Sequence, residues 1–169
     1  MAKQTLIGEG CFTKAEKDIC NANFVELYAN TPAPVVVTDS SLTLTAATHG
    51  YAVIVQNAAG GCAFTLPAAT GTGVTFEIIT QVTNTSSTTV ATSPTTDYFI
   101  GMAWVMSDNS QAVLAFLPAS TSNLLTLDGS TTGGYLGHRL LIKDVAAARW
   151  EIQSFGKATG SEATPFSHV

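Results

Sequence analysis

Charge is scarce in this 169-residue chain. Asp, Glu, Lys and Arg make up 11% of it, against about 25% in an average soluble domain. The shortage is sharpest for cations, since no Lys or Arg occurs between Lys17 and Arg139. A nucleic-acid-binding surface needs clustered basic residues to displace phosphate counterions, and there is nowhere to build one. Contact with DNA or RNA is not expected, and attraction to an anionic membrane surface is disfavoured for the same reason. Long apolar runs are also missing. The longest uncharged stretch, Ser40 to Phe76, is broken by His49, several glycines, Pro67 and many threonines. Nothing approaches the roughly 18 apolar residues of a membrane span. Met1-Ala2-Lys3 leads into Gln-Thr-Leu-Ile-Gly-Glu with no apolar signal core, so synthesis and assembly in a cytoplasm are expected.

Cysteine is sparse and odd in number. Cys11, Cys20 and Cys62 share no CxxC spacing, which argues against a disulfide framework or a zinc knuckle and for small buried side chains. Catalytic signatures are lacking as well. There is no GxSxG elbow, and only His49, His138 and His168 are present to act as a base. HxH, HExxH and Asp-rich calcium loops are absent, leaving only a histidine shared around a trimer axis as a metal option. Paired carboxylates for glycoside hydrolysis would come from Glu77, Asp97, Asp108, Asp128, Asp144 and Glu151. Of these, Asp97, Asp108 and Asp128 read as turn residues and Glu77 as a solvent-facing strand residue. The clusters Gly71-Thr72-Gly73 and Gly129 to Gly134 lack the Lys and following helix of a phosphate loop and read as turns. The expectation is a protein that is not an enzyme and holds no cofactor or metal.

Apolar residues are plentiful, at 46% of the chain. With so little charge, much neutral surface would face water in a monomer, and burial in an oligomer resolves that. The pattern divides the chain in three. Residues 1–34 hold a short extended arm and then a capping box, Thr13-Lys14-Ala15-Glu16, opening an amphipathic helix over 13–28. Phe12, Ile19, Cys20, Phe24, Leu27 and Tyr28 form its apolar stripe, suited to plugging the domain or docking on a partner. Asn30-Thr31-Pro32-Ala33-Pro34 stops it. Residues 35–157 are rich in Val, Ile, Thr and aromatics in short runs between turn residues. Strands are predicted at 35–38, 42–46, 51–57, 62–66, 73–80, 87–92, 98–106, 111–117, 123–127, 138–144 and 149–155. This density predicts an all-β domain, a jelly-roll-like sandwich or barrel, with no internal repeat of fixed period. Val113 to Leu117 is apolar on both faces, as in a sandwich core or beneath a subunit interface, which makes Val113 and Phe116 interface candidates. Residues 158–169 read as a loosely held polar tail.

Several segments resemble structural proteins of tailed bacteriophages. Phe64-Thr-Leu-Pro67-Ala-Ala-Thr-Gly71-Thr-Gly73 before an apolar strand is similar to a segment common among them. So are Asp97…Ile100-Gly101, Leu127-Asp-Gly129-Ser-Thr-Thr-Gly133-Gly134 ahead of Lys143-Asp144-Val145…Trp150, and Ala158-Thr-Gly160…Ala163-Thr-Pro165-Phe166-Ser167. The likeness spans roughly residues 62–167 and points to head decoration, or cement, proteins. It implies a homotrimer on the outer capsid surface, bound to the major capsid protein and strengthening the head. Some proteins of this kind are fibre or tail-associated, so a receptor- or carbohydrate-binding module is the alternative, with Tyr51, Tyr98 and Tyr135 as its candidate aromatics.

Overall fold

The computed structural model describes residues 13, 15, 18–20, 22, 32–110 and 112–169. The chain divides into two compact units between Pro32 and Ala33. In the first, Ala15, Asp18–Cys20 and Ala22 are helical, within the helix expected over 13–28, and Ile19 is exposed. Phe12, Phe24, Leu27 and Tyr28 lie outside the described residues.

The second unit is an all-β sandwich of two sheets. Its elements are β1 (Val35–Val37), β2 (Ser41–Thr43), α1 (Ala46–His49), β3 (Val53–Gln56), β4 (Ala63–Thr65), β5 (Thr75–Thr80) and β6 (Thr88–Ala91). β7 (Tyr98–Met106), β8 (Val113–Phe116), β9 (Leu124–Leu127), β10 (Arg139–Ala146), β11 (Arg149–Lys157) and β12 (Phe166–Ser167) follow. The larger sheet runs β1-β3-β5-β10-β11-β7-β8 and the smaller β12-β9-β6-β4-β2.

The first six strands alternate between the sheets. β1, β3 and β5 pair in parallel in the larger sheet, while β2, β4 and β6 do so in the smaller. Residues 35–91 therefore wind as three stacked coils. This departs from a jelly-roll, whose strands are antiparallel. The cause is local: connections of three, six and seven residues carry each strand of the larger sheet across to the smaller. The chain returns one strand further along, already pointing the same way. Successive coils begin at 35, 53 and 75, and these unequal spacings explain why the sequence shows no fixed period. The second half closes both sheets with largely antiparallel strands, β10 against β5 and β9 against β6.

Side chains from the two inner faces make one core. Trp150, Phe64, Phe76 and Phe99 are its largest fully buried members. Phe76 and Trp150 pack with ring centroids 5.8 Å apart. Alternation fixes this inward set: Phe76 and Ile78 on β5, Leu140 and Ile142 on β10, and Trp150 and Ile152 on β11 are all buried. Truncating one of the aromatics to Ala would cost about 3–5 kcal/mol.

Two expectations are corrected here. The strand at 113–117 is not buried on both sides, because β8 is the edge of the larger sheet and alternates normally. Phe116 faces inward, is partly buried and packs against the core, while Val113 faces out and is 55% exposed. The C-terminal segment is not loose along its length: Ala158 is fully buried, and β12 pairs with β9 and places Phe166 6.4 Å from Phe99.

Candidate functional site

The titratable groups that chemistry would need are mostly absorbed by the fold. Asp144 is buried and accepts hydrogen bonds from the amides of Thr70 (3.1 Å), Gly71 (2.7 Å) and Thr72 (2.9 Å) and from the Thr72 hydroxyl (2.8 Å). Burial raises its pKa, but these donors outweigh burial and hold it below the usual carboxylate range. Gly71 takes φ +79° to present its amide. Asp97, also buried, accepts from the Ala69 amide at 2.6 Å. The two carboxylates thus pin the 69–72 turn from positions far along the chain, Asp144 on β10 and Asp97 just before β7. Asp128 organises its own turn, accepting from the Ser130 and Thr132 amides and the Thr131 hydroxyl.

The histidines are structural too. His138 is 1% exposed. The Gly134 amide donates to its Nδ1 (3.1 Å), so Nε2 carries the proton and donates to Ser154 Oγ at 2.8 Å. Burial pushes its pKa down to about 4. A Cβ at Gly156 would collide with the imidazole, so glycine is required there. His49 is buried and accepts from the Thr45 amide, and His168 Nδ1 donates to the Thr121 carbonyl. Cys62 is a buried thiol, pushed up to about 11 by burial and then by Asp39, and so is unreactive. Asn84 of the Asn-Thr-Ser sequon is buried, with Nδ2 donating to the Leu127 carbonyl. Among the described residues, no three His, Cys, Asp or Glu side chains converge as metal ligands.

What stands open is the outer face of the larger sheet. On β7 the outward residues are Tyr98, Ile100, Met102, Trp104 and Met106. The register sets Trp104 opposite Phe155 of β11 and Ala115 of β8, and Met106 opposite Val113. Trp104 and Phe155 stack with centroids 4.6 Å apart and planes 6° from parallel. Beside them a groove of about 260 Å³ is lined by Trp104, Met106, Val113, Phe155 and Gly156. Met106 is 56% exposed and Leu117, just past β8, is 69% exposed. Apolar side chains on an edge strand and its neighbour form a contiguous patch of the kind that marks interaction surfaces. Val113 was singled out from the sequence as an interface candidate, and it lines this groove. Trp104, Met106 and Phe155 were not singled out, although β7 is apolar on both faces over Tyr98 to Met106, the same signal as at 113–117.

Charge frames this face. Arg139 pairs with Glu77 at 2.8 Å, and Lys143 sits opposite Glu151. Arg149 and Lys157, at the two ends of β11, lie over the rings of Tyr98 (5.3 Å) and Tyr135 (5.6 Å). Tyr98 and Tyr135 are accordingly half-buried, whereas Tyr51 is exposed with φ 62°.

Comparison with family models, with curated proteins and with solved structures finds no match.

Proposed function

We propose that the protein is a virion structural subunit, a trimeric decoration or cement protein that binds the major capsid protein on the outside of a phage head. One observation carries this reading. A sandwich whose buried polar groups are spent on holding its own turns presents an open apolar face built on regular strands. Cementing a shell needs area and shape complementarity between rigid surfaces and no chemistry. The sequence resemblance over roughly 62–167 points the same way, as does the low charge of the chain. The test is to add purified protein to heads lacking their decoration and follow co-sedimentation and heat-induced DNA release. Retention on the head with a raised release temperature is expected, and absence from the pellet at saturating protein sinks the proposal.

One feature supports the fibre or tail-associated alternative. Tyr51 is exposed on a turn in a left-handed conformation that costs on the order of 1–3 kcal/mol, a strain that clusters at binding sites. Binding on a glycan array that is abolished by Tyr51→Ala would favour that reading.

A further inference from the structure

β7 is paired along its whole length on one side and only in part on the other. Toward β11 its ladder uses the even-numbered residues: the Tyr98 amide donates to the Ala148 carbonyl (3.2 Å), and the Met106 carbonyl accepts from the Ala158 amide (2.9 Å). The odd-numbered residues turn their main-chain groups the other way. There the Phe99 amide donates to the Ser122 carbonyl (2.8 Å) and the Ser107 amide to the Ala112 carbonyl (3.0 Å). On that side β8 pairs only Ala103 to Met106. The same register carried two residues further would set Pro118 opposite Gly101, and proline has no N–H to give. The chain bows out instead, in a turn where the Ser122 amide donates to the Ala119 carbonyl and the Ala119 amide to Ser122 Oγ. No hydrogen bond joins Gly101 to residues 117–121.

The gap is an open groove of about 320 Å³, lined by residues 98–101 and 117–120. Into it point one unmet N–H and one unmet C=O, both from Gly101. Only glycine fits there: its φ is +106°, and a Cβ would collide with the Ile152 carbonyl. A glycine inside a strand marks a place where a ligand or another backbone comes close. Tyr98, Ile100 and Leu117 supply apolar walls, Leu117 being 69% exposed.

The donor and acceptor select the occupant. A carboxylate only accepts and would face the Gly101 carbonyl, while an ammonium or guanidinium only donates and would face its N–H. A primary carboxamide offers both roles in one planar group. The protein already makes this pairing once: the Val169 amide donates to Asn123 Oδ1 (2.9 Å), and Asn123 Nδ2 donates to the Val169 carbonyl (3.2 Å). We propose that the groove at Gly101 takes the side-chain carboxamide of a glutamine or asparagine presented by a protein partner, with its methylenes against Tyr98 and Leu117. The proposal goes beyond the subunit reading above, and its test uses no phage heads, so either can fail alone.

The test is an NMR titration of the isotope-labelled full chain with N-acetylglutamine methylamide, and with its glutamate and methionine analogues. All three probes carry the same main-chain amides, so only the side chain differs. The glutamine probe should move the Gly101 amide proton and carbonyl carbon saturably, half-complete at roughly 10–200 mM as two solvent-exposed hydrogen bonds allow. The glutamate probe keeps the acceptor without the donor, the methionine probe has neither, and both should bind about tenfold more weakly. No saturable shift at Gly101 overturns the proposal. So do equal affinities for the three probes, which would mark main-chain addition to the strand edge, or equal affinities for glutamine and glutamate, which would mark the Gly101 N–H acting alone.

Discussion

The two ends of the sandwich use the same residue type in opposite ways. At one end, Asp97 and Asp144 are buried and take up the amides of the 69–72 turn. At the other, Asp39 and Asp108 are exposed, and the half-buried Asp128 holds only its own turn, Ser130 to Thr132. That end is held from within by a neutral histidine, His138, between the Gly134 amide and Ser154. The difference shows that composition does not assign a carboxylate its role. Enclosed by donors, it is a structural pin. Left in water, it is a contribution to the surface field.

The largest expected effect is at the pinned end. Asp144→Asn removes the charge from several short hydrogen bonds and turns part of the acceptor into a donor facing amides. Loss of about 3 kcal/mol is expected, with a Tm lower by about 6–12 °C. The matched change Asp108→Asn should stay within about 0.5 kcal/mol in urea unfolding. Equal losses from the two would break the contrast between the ends.

Next comes acid sensitivity at the other end. The folded pKa of His138 is depressed to about 4 from an ordinary 6.5. Above pH 6.5 both folded and unfolded chains hold it neutral, and stability is full. Between pH 6.5 and 4 only the unfolded chain takes up the proton, so up to about 3 kcal/mol is lost as pH falls. Denaturant titrations at pH 7 and 4.5 measure this, and His138→Gln should flatten the slope. Asp144, its pKa lowered, keeps its contribution throughout that window and loses it only at more acid pH.

A smaller effect on stability is expected from Trp104→Ala, below about 1.5 kcal/mol, because the ring is stacked on the outer face and not set in the core. If the open outer face is the interface of the proposed function, retention on phage heads should fall far more, since aromatic anchors dominate interfaces. Smallest of all, thiol reductant should leave the Tm unchanged: Cys20 and Cys62 are free.

Much of the fold was legible. Each of the eleven predicted strands has a counterpart, because period-two alternation in segments such as Thr75–Thr80 is a local property. β12 was missed, since two residues after Pro165 are too few to show a period. Parallel pairing of the coils was illegible for a different reason: a strand alternates identically whichever way its neighbour runs. The run at 113–117 was ambiguous, as an edge strand offering an apolar outer face carries the same apolar string as one sealed between layers. The pins were invisible because Asp97 reaches a turn 28 residues back, and Asp144 one more than 70 residues back. The outer-face candidate was half legible, through Val113 alone.

The stacked coils also have a consequence for the order of events on the ribosome. β5 and β6 are complete by residue 91, yet the strands that cover their free edges, β10 and β9, begin only at residues 139 and 124. At about 5–20 residues per second, β5 would wait roughly 3–12 s after synthesis with one edge unpaired. The turn preceding it would lack its Asp144 pin for a similar time. Nascent chains are therefore most exposed to mispairing with one another during elongation through the second half, and slow codons there should lower the yield of native protein more than slow codons before residue 75.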